Sequence, residues 1–114
     1  MAALIGLAGF SATASLAAGR FLSIAEDVPL MPGLTENADA ATVFDKPAGR
    51  IASTEASGAV SRAAVKQFYD ATLPQLGWQA EGPAEYHRES ERLRLSFQND
   101  GRMLTVRFEL LPNR

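Results

Sequence analysis

The chain has 114 residues, 46% hydrophobic and 21% charged, which fits one globular domain and leaves no room for a two-domain enzyme with a cleft between its halves. Eleven Lys and Arg against thirteen Asp and Glu give a net charge of −2, without the positive field that general nucleic-acid binding needs, so no nucleic-acid partner is expected. Cysteine is absent and His87 is the single histidine, which excludes disulfides, thiol nucleophiles, thiolate clusters and multi-histidine metal sites; no metal or cofactor is expected.

In chain order, residues 1–25 read as a signal peptide or an N-terminal membrane anchor. Residues 2–18 contain only Ala, Leu, Ile, Gly, Phe, Ser and Thr, and charge first appears at Arg20. Ser23-Ile24-Ala25 puts small residues at positions −3 and −1 of a cleavage after Ala25, which would start a periplasmic or exported protein at Glu26. Left uncleaved, residues 2–18 are at the short end of a bilayer span and would anchor the chain in a membrane.

Residues 26–49 carry Pro29, Pro32, Gly33, Pro47 and Gly49, which forbid a long helix. Val28, Leu30, Met31, Leu34, Val43 and Phe44 are too apolar for a solvated linker. This stretch therefore predicts an extended strap lying on the domain, covering a sheet edge or docking a partner.

Residues 50–112 form the regular part. Ala52, Thr54 and Ala56 alternate with Ser53 and Glu55, a weak strand pattern with small inward side chains. Ser61 is placed to cap a helix whose apolar stripe runs Val65, Phe68, Thr72 and Leu76, flanked by Ala64, Tyr69 and Leu73. Pro74 disturbs the last turn, Gly77 stops the helix, and Trp78 opens a return strand. Then Leu93, Leu95 and Phe97, and after Asn99-Asp100-Gly101 the residues Leu104, Val106, Phe108 and Leu110, alternate with polar residues as a β-hairpin. Centring a type I′ turn on Asp100-Gly101 pairs Phe97 with Leu104, Leu95 with Val106 and Leu93 with Phe108. The fold class is α+β in two layers, one helix on a mostly antiparallel sheet in β-α-β-β-β order, its core built from Val65, Phe68, Leu76, Leu93, Leu95, Phe97, Val106 and Phe108.

The same register sets Arg94 opposite Arg107 and Arg92 opposite Glu109 on the outer face. A tight turn at Ser90-Glu91 would add His87 beside Arg94 and Tyr86 beside Leu95. His87, Arg94 and Arg107 then form a row bracketed by Glu85, Glu89 and Glu109, either a neutralised solvated surface or a platform for an anion or acidic partner. No catalytic constellation is present: Ser61 is a helix cap, and Glu85, Glu89 and Glu91 face water beside arginines, with nothing to raise a carboxyl pKa.

The run Phe68-Tyr69-x-x-x-Leu73-Pro74-Gln75-Leu76-Gly77-Trp78, with the flanking Leu-x-Leu-x-Phe and Leu-x-Val-x-Phe strands and residues 27–34 and 44–51, resembles an uncharacterised family of small bacterial exported proteins. More loosely, the helix is similar to those of envelope lipoproteins, including one of the outer-membrane β-barrel assembly machinery; with no Cys to acylate, lipid attachment does not carry over. The resemblance implies an envelope location and adds no catalytic residue. The expected function is a non-enzymatic envelope binding or assembly-accessory protein with a protein partner. The alternatives are an anion or ligand binder using His87, Arg94 and Arg107, and a small anchored subunit of a membrane complex.

Overall fold

The computed structural model describes residues 20–112, so the reading of residues 2–18 as leader or anchor lies outside the described residues. Strands β1 (Phe21–Leu22), β2 (Ala25–Pro29), β3 (Thr35–Lys46) and β4 (Gly49–Gly58) precede helix α1 (Arg62–Thr72) and a 3-10 turn (Leu73–Leu76). Strands β5 (Gln79–Gly82), β6 (Glu85–Arg88), β7 (Glu91–Asp100) and β8 (Met103–Pro112) follow. β1 and β2 make a small hairpin; the other strands form one antiparallel sheet in the order β3-β4-β8-β7-β6-β5. The fold is α+β, a mostly antiparallel sheet with one α-helix among the described residues.

The element order is richer than β-α-β-β-β. Residues 26–49 are not a loose strap but β2, a turn and the edge strand β3. Their prolines fall where a strand can accept them: Pro29 ends β2, Pro32 sits in the turn, and Pro47 sits in the two-residue loop between Lys46 and Gly49. The return strand is likewise a hairpin, β5–β6, bent at Pro83-Ala84, where Pro presets the first turn residue and Ala84 takes a positive φ of 59°.

Ser61 caps α1 by accepting the Ala64 N–H at 3.0 Å. Val65, Tyr69 and Leu73 recur every four residues and are fully buried, so the buried stripe is rotated from the expected one. Phe68 is half-buried, and Leu76, expected in the core, is exposed because the chain tightens into the 3-10 turn before reaching it. Gly77 closes the turn in the left-handed region at φ 95°, which glycine adopts at no steric cost. Tyr69 then joins three parts of the molecule. Its ring meets Phe108 of β8 edge to face at 5.6 Å, its hydroxyl donates to Pro29 O at 2.7 Å, and the Met31 N–H donates to it at 3.0 Å. Burial pushes this phenol well above its ordinary pKa, although the Met31 N–H pulls the other way. A second tyrosine, Tyr86 of β6, donates to Asp70 Oδ1 at 2.6 Å and fixes the other flank of α1 to the sheet.

The β7–β8 register is displaced by two residues from the expected one. Phe97 faces Val106, Leu95 faces Phe108 and Leu93 faces Leu110, around a turn centred on Gly101-Arg102 with Gly101 at φ 64°. Glycine at the first central position of a two-residue loop is the requirement of a type II′ turn, where the expected I′ turn needs positive φ at both central residues. A two-residue displacement keeps every side chain on its own face, so the apolar alternation could not distinguish the registers. The observed one buries Leu110 between Leu93 and Ala52, and it places Glu109, not Arg107, opposite Arg94.

The N-terminal hairpin completes the core. Leu22, Ile24, Val28, Leu30 and Leu34 are buried in the same cluster as the helix and sheet residues. The strand end at Gly58 passes so close to the Gly33 carbonyl that a Cβ there would overlap it. Ser23 lies in the β1–β2 turn and Ala25 in β2, so the expected scission after Ala25 falls within this hairpin and would separate Leu22 and Ile24 from the core.

Tyr69→Phe keeps the ring and leaves the Met31 N–H and Pro29 carbonyl without their partner, which should cost about 1–3 kcal/mol in chemical denaturation. Leu76→Ala should cost less than about 1 kcal/mol, since an exposed side chain has little burial to lose. The reverse ranking would restore the originally expected helix face.

Candidate functional site

The outer face of the sheet holds His87, Arg94 and Arg107 but does not assemble them as a free row. Arg94 lies between Glu85 on β6 and Glu109 on β8, with Nε–Oε2 3.1 Å and Nη1–Oε1 3.4 Å. Arg107, opposite Ser96, reaches Glu55 at 3.4 Å and Glu109 at 3.6 Å. His87 is opposite Arg92 instead of Arg94, because the β6–β7 turn falls on Glu89-Ser90 with Glu89 at φ 51°, and its Nδ1 is 3.2 Å from Glu81 Oε1. Both arginines are therefore already neutralised, with Glu109 bridging them, and an incoming anion must compete with three glutamates. Exposed pairs of this kind hold little energy individually but leave no net positive field.

A different place on the molecule holds a larger concavity than the outer face around Arg107. A cleft of about 370 Å³ opens where the β1–β2 hairpin meets the Trp78 end of the sheet, and it is lined by Ser23, Glu26, Asp27, Arg50, Trp78, Arg88 and Glu91 among others. Trp78 follows Gly77, whose turn drives the indole inward until it is only 1% exposed. Its Nε1–H is buried without a hydrogen-bond partner. Arg88 of β6 lies over the indole at 4.3 Å from the ring centroid, a cation–π contact. The same guanidinium pairs with Asp27 at 2.7 Å and Glu91 at 3.4 Å and donates to Leu76 O at 3.1 Å. Burial alone would lower the Arg88 pKa, but Asp27 and Glu91 outweigh it and hold the charge firmly in place.

The hairpin wall of the cleft is fixed by Glu36 of β3. Its carboxylate accepts the Ser23 N–H at 3.0 Å, the Ser23 hydroxyl at 2.6 Å and the Thr54 hydroxyl at 2.6 Å. Thr54 is fully buried in the centre of β4, so this is how its hydroxyl is satisfied. Burial pushes the Glu36 pKa up, and the three hydrogen bonds to its charged form outweigh that and hold it below the ordinary carboxylate range.

No family model, curated protein or solved structure matches this chain. Trp78, expected to open a strand, lies just before β5, and nothing in the sequence pattern brings Glu26, Arg50 and Arg88 together. The signal that could have found part of the cleft was the Trp78–Arg88 spacing, which places both at one end of the sheet once Pro83-Ala84 is read as a hairpin turn. Among the described residues no group of His, Asp and Glu has the arrangement of a metal site.

The depressed Glu36 pKa carries a pH signature. A carboxylate whose folded pKa lies below its unfolded value adds stability above the unfolded pKa, near 4.5, and loses it as pH falls through the folded pKa. Glu36→Gln, which does not titrate, should be less stable than the wild type at pH 7, with the difference shrinking as pH drops below about 4.5. Urea midpoints between pH 7 and pH 3 test this; a difference that stays constant would show that the charge on Glu36 is immaterial.

Proposed function

We propose that this chain is a non-enzymatic binding or assembly-accessory protein of the cell envelope that takes a protein partner along the β3 edge. The observation that carries the reading is the exposure of Val43 and Phe44, 44% and 58%, at the end of that edge strand. Of the apolar residues between 26 and 49, Val28, Leu30 and Leu34 are buried in the core; Val43 and Phe44 are the two left exposed. β3 is paired on one side only, so its outward backbone groups are open to a partner strand, and large apolar side chains beside an open edge suit recognition by strand addition. The middle of β3 bulges between Asn37 and Thr42, which divides its regular pairing into a short segment at Thr35–Asn37 and a longer one next to the β3–β4 turn that carries Val43 and Phe44.

The envelope location rests on the apolar residues 2–18 and on the resemblance of the helix motif to exported proteins. Among the described residues no helix is long and apolar enough to cross a membrane. Since Leu22 and Ile24 belong to the core, a leader compatible with this fold ends before Arg20, where Ala17 and Gly19 supply small residues at −3 and −1. If residues 2–18 are retained, the same module becomes an anchored subunit. The outer-face anion reading has the weaker support, because Glu55, Glu85 and Glu109 already occupy Arg94 and Arg107.

Expression with the native upstream region and a C-terminal tag, followed by fractionation and mass spectrometry of the N-terminus, should find an exported product starting at or just before Arg20. An intact N-terminus in the membrane fraction would replace this with the anchored model, and intact protein in the cytosol would overturn the envelope reading. In the same cells, a photoreactive benzophenone amino acid at Phe44 should give a discrete protein adduct that the same group at Gln98, exposed at the far end of the sheet, does not. Equal adducts, or none, at the two sites would refute docking at the β3 edge.

A further inference from the structure

The cleft beside Trp78 sorts its charges into two groups. Arg88, Asp27 and Glu91 are engaged with one another, and Arg88 is further fixed by the indole and the Leu76 carbonyl. Glu26 and Arg50 line the same cleft, and neither side chain has a hydrogen bond or ion pair with a described residue, including each other. Beside them is the indole N–H of Trp78, buried and without an acceptor. Buried donors are nearly always satisfied, so an unpartnered one on a residue that lines a cleft draws attention to that wall as a ligand site.

From this we propose that the cleft binds a short zwitterion, a free amino acid or a small peptide, with its carboxylate at Arg50 and its ammonium at Glu26. With Arg88, Asp27 and Glu91 already paired, an anion alone would meet Arg50 and leave Glu26 unmatched, and a cation alone would meet Glu26 and leave Arg50 unmatched. A molecule carrying both charges satisfies both open side chains, and charge-assisted hydrogen bonds of this type are the strong ones. The volume of about 370 Å³ is at the small end of the range for ligand sites, which suits a few residues and excludes a long chain. Arg50 lies opposite Asp45 of β3, so the cleft adjoins the β3 edge, but its ligand is argued from the cleft's own charges and does not depend on the docking reading.

Trp78 is the single tryptophan, so its indole N–H gives one resolved resonance in the nitrogen-15-labelled protein purified as its host makes it. Titration with alanine, dialanine and trialanine should move that resonance saturably for at least one length. N-acetylation or C-terminal amidation of the best probe should each weaken binding about tenfold or more. Glu26→Gln and Arg50→Gln should weaken it similarly while leaving the thermal midpoint unchanged, because both side chains are exposed. Acetate and methylammonium, each carrying one of the two charges, should bind much more weakly than the zwitterion. The proposal is overturned if no probe shifts the indole resonance, if the blocked probes or single-charge ions bind as well, or if the two variants bind unchanged.

Discussion

A single buried phenol holds the layers of this domain in relation to one another. The Tyr69 ring packs on Phe108 in the middle of the sheet, and its hydroxyl takes up a carbonyl and an N–H from the segment just after β2. Helix α1, the sheet and the N-terminal hairpin therefore share one contact point. The hairpin is too short to be stable alone and depends on that point together with the Glu36 bonds to Ser23 and Thr54. Without these two ties the wall of the Trp78 cleft has no fixed position, so the geometry of the candidate site follows from the packing of the helix.

The two faces of the sheet treat charge differently. On the outer face the antiparallel register puts opposite signs next to each other, Arg94 with Glu85 and Glu109, Arg107 with Glu55, and the surface is internally balanced. At the cleft the balance is local to Arg88, Asp27 and Glu91, and two side chains of opposite sign remain uncommitted beside an unsatisfied donor. A surface whose charges are already paired offers little to an incoming ligand, whereas open charges in a concavity can select what enters it. The number of arginines on a face is thus a poor guide to binding compared with which of them are already occupied.

Much of this architecture was legible in the residues. Ser61 as cap, Gly77 as stop and the β7–β8 alternation follow from local chemistry and are found where that chemistry puts them. The β7–β8 register was not legible, because two registers related by an even displacement bury the same side chains and differ only in the turn and in cross-strand charge. Residues 35–46 were unreadable as a strand for another reason. An edge strand exposed on most of its length has no apolar alternation to announce it, and its bulge breaks what remains. The site was hidden because Glu26 and Arg50, on β2 and β4, are far in sequence from the Trp78–Arg88 pair, and no spacing along the chain connects them to it until the long-range pairing of β4 with β8 is known.

That pairing has a kinetic consequence. The last strand made, β8, is inserted between β4 and β7, so the centre of the sheet closes only after the final residues of the domain are available. Until then β4 lacks its neighbour, Tyr69 lacks Phe108, and the N-terminal hairpin has nothing to rest on. Such non-local topologies fold slowly, because a long loop must close before any contact rewards it. The strand order therefore makes the final hairpin partner, β8, the element on which closure of the whole sheet waits, so the earlier strands stay without a settled core until it is in place.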